Sequence, residues 1–415
     1  MKRYGANLVL LGVLGLLSLP GLSACRPETA DETEPAAPSL SHRERAQQLA
    51  QELLIVDTHI DMPDRLTARM EDISTRTEHG DFDYVRAKEG GLDVAFMSIY
   101  IPAGHQETGD AKEVADRLID MVEKFARDWP DKFAIARSVA DVRQQAAQGK
   151  VSLAMGMENG APIETREDLQ HYYDRGIRYV TLAHSRANQL SDSSYDANHR
   201  WNGLSPLGGE VVQEMNRLGM MIDVSHISDE AFQDVMEIST APVIASHSSC
   251  RYFTPGYERN MSDAMIRALG ENGGVIHINF GSSFLVDAIR KGEEAMWAYY
   301  AQNGIRPDSD EGVEYSRRYR EKTGLAYADV SDVVAHIERV VQLAGVDNVG
   351  LGSDFDGVGD SLPTDLKDVS DYPNLIFELL NAGHSEGDIE KILSGNLLRV
   401  WSDVERRSSE LQAGN

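Results

Sequence analysis

A chain of 415 residues can hold one large core or two ordinary domains, and a single α/β barrel of about 250 residues with insertions fits it. Its 67 Asp and Glu outnumber 40 Lys and Arg, for a net charge of −27; so acidic a surface repels phosphate backbones and excludes nucleic acid as a partner. Two cysteines, Cys25 and Cys250, are too few for a disulfide framework.

The N-terminus reads as a targeting segment. Lys2 and Arg3 precede an apolar run over residues 8–22 that contains glycines, one proline and Ser18. This is the layout of a signal peptide, residues 1–24, and the run is too short and too interrupted for a membrane-spanning helix. Leu22-Ser23-Ala24-Cys25 resembles the bacterial lipobox, in which the cysteine becomes the acylated first residue of the mature chain. Cys25 is therefore the expected lipidation site. The protein is expected to be an exported lipoprotein, anchored to a membrane on its periplasmic or cell-surface side. Residues 25–40 are rich in Pro, Glu, Ala and Thr and read as a disordered tether. Helical spacing over 42–54 opens the folded domain, expected as one unit over residues 41–415.

Within that domain, short apolar runs alternate with amphipathic stretches. The expected strands are 54–59, 93–100, 152–158, 178–184, 221–226, 242–247, 274–280 and 348–356. The helical stretches between them include 111–129, 208–219 and 331–345. Near-continuous apolar strands separated by helices predict a parallel sheet buried on both faces. Eight such units predict closure into a (β/α)8 TIM-type barrel, with an open doubly wound sheet as the alternative. The interval between the seventh and eighth strands is long and carries its own helices, which suits a lid or an oligomer contact such as a homodimer interface.

Polar residues gather at one end of these strands. His59 and Asp61 close the first, Glu158 the third, His184 the fourth, His226 the fifth, His247 the sixth and Asp354 the eighth. In a parallel barrel these ends share the C-terminal mouth, where active sites are built. Each residue alone has a structural reading: His59 and Asp61 suit a hydrogen-bonded turn, and His226 stands beside Ser228 and Asp229, where a helix begins. Together they place three imidazoles (His59, His226, His247) and two carboxylates (Asp61, Glu158) at one mouth. That donor set suits Zn2+, and holds two ions if one carboxylate bridges. His42, His79, His105, His171, His199, His336 and His384 read as solvated. His277, inside the seventh strand and sharing a face with Asn279, reads as a hydrogen-bonded interior histidine.

The motifs VDTHIDMP, GMENG, LAHSRAN, GLSPLGGEVVQEMNRLGMMIDVSH, APVIASHSSCR, ERNMSD and GLGSDFDGV, followed by DVSDYPNLIFELL and GNLLRVW, resemble the membrane (renal) dipeptidase family over about residues 52–404. These are binuclear zinc enzymes of the amidohydrolase-like barrel group. The resemblance implies zinc-dependent hydrolysis of dipeptides, L-D dipeptides among them. It implies that His59 and Asp61 bind one zinc, His226 and His247 the other, and that Glu158 bridges them. It further implies that His184 contacts the substrate or the developing oxyanion, Arg259 binds the substrate's C-terminal carboxylate, and Asp354 handles the proton. One departure stands out: Ile60 occupies the position between His and Asp where familiar members carry Asn, which removes a polar group from beside the metal or substrate. Two readings compete with dipeptide hydrolysis. One is another amide or lactam hydrolase on the same metal site; the other is a surface lipoprotein that binds without turnover.

Overall fold

A computed structural model describes residues 40–307 and 309–414. The signal segment 1–24, the lipidation site Cys25 and the tether up to residue 39 lie outside the described residues. From Leu40 the chain forms one compact unit. It opens on helix His42–Glu52, whose start is set by a capping box between Ser41 and Glu44.

The apolar runs pair into one sheet of nine described strands: β1 (Ile55–Ile60), β2 (Leu92–Tyr100), β3 (Phe133–Ile135), β4 (Val151–Glu158), β5 (Ile177–Thr181), β6 (Met221–Asp223), β7 (Ile244–Ser248), β8 (Val275–Ile278) and β9 (Val349–Leu351). Eight run in the order β1-β2-β4-β5-β6-β7-β8-β9, every neighbouring pair parallel. An Ile60–Phe355 bridge returns the last of these to the first, with Asp61 N–H donating to the Phe355 carbonyl at 2.8 Å. The result is the TIM-type barrel that the eight strand–helix units predict. The ninth strand, β3, pairs only with β4; at three residues it offers no periodicity to read.

Two apolar layers fill the fold. Alternate strand residues such as Val56, Val94, Phe96, Tyr179 and Val275 point into the barrel. There they meet Leu397, Val400 and Trp401 of the C-terminal helix Asn396–Ala413, which plugs the end opposite the mouth. The other strand faces pack against the surrounding helices. Helices Ala111–Asp128, Pro206–Leu218 and Val330–Ala344 fall where the amphipathic spacing places them. The long interval after β8 folds into helices Ser282–Leu285, Asp287–Asn303 and Asp310–Thr323 before Val330–Ala344.

Several strands are shorter than the apolar runs suggest. β5 ends at Thr181, β6 at Asp223 and β9 at Leu351, so His184, His226 and Asp354 stand in the loops just beyond them. The physical reason is the pull of buried carboxylates on backbone N–H groups, their own segment's and those of neighbouring strands. The Asp223 carboxylate accepts N–H bonds from Ser225 (3.0 Å) and Ser246 (2.7 Å), turning the chain out of the ladder. The Asp57 carboxylate does the same with His59 and Ser353, each at 3.0 Å. The solvated reading fails for two histidines. His336 is buried, accepting from Cys250 N–H (2.9 Å) and bonding the Leu285 carbonyl (3.0 Å), because its helical stripe faces the barrel. His384 is half-buried against Glu338. His277 is the interior histidine expected, bonded to the Ala245 carbonyl at 2.9 Å, and burial pushes it down to about 4.

Candidate metal centre at the barrel mouth

Glu158 closes β4 pointing into the barrel, anchored by Ser98 Oγ at 3.1 Å. Its two oxygens face different partners. Oε2 lies 3.4 Å from His59 Nε2, whereas Oε1 lies 3.1 Å from His226 Nε2 and 3.2 Å from His247 Nε2. His59 Nε2 is in turn 3.3 Å from Asp61 Oδ2. The five residues read from sequence as ligands therefore converge around one carboxylate, and all are buried. Register irregularities lie at His59 in β1 and at His247 in β7; a bulge of this kind re-aims a side chain that strict alternation would send to the helix layer.

Hydrogen bonds set the tautomers. Tyr179 Oη donates to the Thr58 carbonyl (2.9 Å), so it accepts from His59 Nδ1 (2.9 Å). Ser246 Oγ donates to Asp223 (2.6 Å), so it accepts from His247 Nδ1 (2.8 Å). With that proton at Nδ1, each neutral imidazole turns the lone pair of its Nε2 to the centre. Arg259 Nη2 donates toward His226 Nε2 at 2.9 Å, making that nitrogen an acceptor as well. Two acceptor nitrogens, His226 Nε2 and His247 Nε2, then stand 2.7 Å apart, and His59 Nε2 is buried without a hydrogen-bond donor. A cation among them fits this arrangement: although burial lowers it, Tyr179, Glu158 and Asp61 hold His59 well above the ordinary imidazole range, so the centre favours positive charge. Burial, with Arg259 nearby, holds His226 well below the ordinary imidazole range; burial, with His59 and Arg259 nearby, does the same for His247. Deprotonated imidazole is the ligand form.

Around the five stand the other predicted site residues. Asp354 accepts from Asn279 Nδ2 (2.7 Å) and shares a cluster with His59 and Asp61. Burial, reinforced by the Asp61 charge, raises Asp354 to about 7. Asp356, two residues on and the other carboxylate of the GSDFDG turn, is committed elsewhere, taking a bond from Arg65 (3.1 Å) and one from Asp81 N–H (2.6 Å). His184 is 3.6 Å from Glu158 Oε1 with its ring edge-on to Tyr100, and it lines the cavity that opens over the centre. Arg259 is buried at the base of the mouth. Nη1 donates to Ser248 Oγ and Nη2 to the His247 carbonyl, both at 2.7 Å, while Nε–H has no protein partner. Ile60 joins the outer apolar layer, away from the ligand atoms, so the missing Asn removes no contact from the centre itself.

Sequence reasoning passed over the residues that hold the ligands. Tyr179, Ser246, Asp223 and Asn279 sit inside apolar strand runs or just after them; a polar atom in such a run is the signal that marks them. Gly156 belongs with them: a Cβ there would stand 1.9 Å from the Tyr179 ring, so glycine makes room for the tyrosine that orients His59. His226 (φ 69°) and Asp354 (φ 64°) both adopt left-handed backbone, uncommon for a residue with a Cβ and concentrated at functional sites.

Residues 43–415 match the family described as membrane dipeptidase, peptidase family M19. This chain belongs to that family. It is 33% identical over 341 residues to Dipeptidase aclJ of Aspergillus oryzae, covering 80% of this chain and 72% of the fungal one. Among solved structures, the probable dipeptidase PvdM from Pseudomonas aeruginosa is similar with a TM-score of 0.75 at 28% identity, covering 88% of this chain and 99% of that one. A metallopeptidase from Rhodobacter sphaeroides, liganded with a phosphinate mimic of the dipeptide L-Ala-D-Ala, is similar with a TM-score of 0.69 at 25% identity, covering 85% and 99%. The family and the donor set agree: this is a metal-dependent hydrolase of dipeptides on a TIM-type barrel.

Proposed function

We propose that the metal is a pair of zinc ions and that the enzyme hydrolyses dipeptides, including those with a D-residue at the C-terminal position. The observation that carries the pair is Glu158, whose two oxygens face separate ligand sets, His59 with Asp61 and His226 with His247. When bound, zinc supplies a Lewis acid for the scissile carbonyl and lowers the pKa of the attacking water. Asp354 takes a proton from that water and returns it to the leaving amine; a carboxyl raised to about 7 suits both halves of the transfer. Asn279 holds the Asp354 carboxylate toward the centre. Burial keeps His184 below the ordinary imidazole range, so as a neutral ring it hydrogen-bonds the developing oxyanion. Arg259 offers the unpartnered Nε–H, and its charge, to the substrate carboxylate. The Rhodobacter sphaeroides relative was solved with an L-Ala-D-Ala mimic, which supports an L-D panel.

We further propose that Cys25 carries a lipid that holds the domain at a membrane surface, on the strength of the Leu22-Ser23-Ala24-Cys25 motif. Fractionation of Cys25→Ala against the wild type tests it, and a variant still membrane-bound after normal processing refutes it.

One experiment tests the activity: elemental analysis of the purified enzyme beside hydrolysis of a dipeptide, its C-terminal amide, an L-D dipeptide, an N-acyl amino acid and a β-lactam. Two zinc ions per chain and a strong preference for the free dipeptides are expected. Absence of transition metal with no rescue by added zinc overturns the centre. Equal rates on dipeptide and amide overturn the role of Arg259.

A further inference from the structure

The wall of the mouth that faces the metal centre comes from the interval after β8. Helix Asp287–Asn303 carries two neighbouring stripes. Ile289, Glu293, Met296 and Tyr300 are buried against the protein. Arg290, Glu294, Trp297 and Ala301, each one residue further on, line the cavity. The spacing 4, 3, 4 is that of one helix face, so the wall is a continuous surface. A buried ion pair between Glu293 and Arg320 ties the helix to the next one, Asp310–Thr323.

The stripe has two distinguishable ends. At one end the Arg290 guanidinium sits over the Tyr257 ring at 5.3 Å, Tyr257 Oη is 2.8 Å from Tyr195 Oη, and the Tyr195 ring is 5.8 Å from that of His226. This end belongs to Arg259 and the second ligand pair. Beyond the other end, past Ala301, Arg306 reaches across to Asp64 at 2.7 Å, on the helix that follows Asp61. That end belongs to the first ligand pair. From Arg290 to Ala301 the helix rises about 16 Å, whereas a dipeptide backbone spans about 7 Å. The cavity, about 960 Å³, is correspondingly larger than two small residues require.

We propose that the Trp297–Ala301 half of this stripe is the subsite for the side chain of the N-terminal residue, and that it selects a large apolar or aromatic side chain there. This rests on the proposed orientation, with the substrate carboxylate at Arg259. That orientation sends the N-terminal residue toward Asp61 and the Ala301 end. Trp297 supplies a broad apolar face and Ala301 leaves the room beside it, with Pro307 and Val358 on the same cavity. The charges at this end, Arg306 and Asp64, are paired with each other, so the subsite offers no lone charge for a charged side chain to meet.

The test is kcat/KM of the zinc-loaded enzyme for Ala-Ala, Phe-Ala, Trp-Ala and Ala-Phe, in wild type, Ala301→Trp and Trp297→Ala. Ala301 is exposed, so the larger residue is not forced into a core. Wild type is expected to prefer Phe-Ala and Trp-Ala over Ala-Ala by about tenfold or more. Ala301→Trp should abolish that preference by lowering kcat/KM for Phe-Ala and Trp-Ala more than for Ala-Ala, and Trp297→Ala should reduce it through KM. Equal wild-type rates on Ala-Ala and Trp-Ala overturn the subsite. So does an Ala301→Trp variant that impairs Ala-Phe more than Phe-Ala, or a Trp297→Ala variant that leaves the preference intact. Cleavage of none of the four by zinc-loaded wild type is a different result, the failure of the dipeptidase reading itself.

Discussion

The two halves of the proposed metal centre hold their candidate ligands by different means. His59 stands on β1, and Asp61 stands just before the helix that follows, with its backbone N–H tied to Phe355 at the barrel seam. His247 stands on β7 and is oriented through Ser246 and Asp223. His226 lacks both a strand and a partner at Nδ1; Ser194 N–H holds its carbonyl at 2.8 Å, and Arg259 meets its ring at Nε2, on the side of the centre. This histidine lies in a loop, and its backbone is left-handed (φ 69°). A non-glycine residue held there costs about 1–3 kcal/mol and persists only where its surroundings over-determine it. The first half is therefore set by a strand and a hydrogen bond. In the second, one ligand is set that way and the other by backbone conformation. A buried ligand can be aimed by a hydrogen-bond partner or by the chain itself, and only the former is removed by changing one side chain.

The largest expected effect erases the difference between the halves. On the proposed two-ion centre, Glu158→Gln removes the charge the halves share, so both ions should be lost together and kcat/KM should fall by roughly four decades or more. Elemental analysis beside dipeptide hydrolysis checks it, and retention of a single ion would show that the halves load independently. Next comes Asp354→Asn, at the carboxylate that the proposed mechanism assigns to the proton and not to the ions. It should keep its metal content and lose about two to three decades of kcat. Asp356→Asn should instead lower the melting temperature, since that carboxylate holds Arg65 and the Asp81 backbone. A larger kinetic loss in Asp356→Asn with metals retained would reverse the assignment.

The next pair of variants separates the halves. Tyr179→Phe removes the acceptor from His59 Nδ1 and should weaken the first ion by about 10–100-fold with the second little changed. Ser246→Ala should do the converse through His247. Metal titration against a competing chelator reads both, and equal weakening of both ions by either variant would show the halves to be one unit.

The smallest effect lies outside the centre. Buried His277 and His336, both pushed down to about 4, stay neutral in the fold while the unfolded chain takes up protons below about 6.5. The unfolded state then binds more protons, so stability is lost as pH falls through this window, by roughly 2 kcal/mol per histidine between about pH 7 and pH 5. Denaturant unfolding of the metal-free protein should show this slope. His277→Asn, which keeps a donor for the Ala245 carbonyl, should remove that histidine's own share, roughly 2 kcal/mol between about pH 7 and pH 5; an unchanged slope would mean that this histidine is not the group that titrates.

What the sequence determined by itself is the barrel and the membership of its mouth. Apolar runs flanked by helices leave a parallel sheet few alternatives, and polar residues recurring at the same end of strand after strand can meet only at one face. His59, Asp61, Glu158, His226 and His247 were legible for that reason, and the family motifs around them add their roles. Tertiary structure alone decided how those residues are aimed. The bulges at His59 and His247, the early strand ends at Asp223 and Leu351, and the burial of His336 all depend on contacts between segments far apart in the chain. So do the tautomers: Tyr179 reaches His59 across 120 residues, and Gly156 clears its path from a third strand. The wall at Trp297 and Ala301 has the same character. Helical spacing makes it one face, but which stripe turns to the mouth is decided by what the neighbouring stripe, Ile289 to Tyr300, finds to pack against.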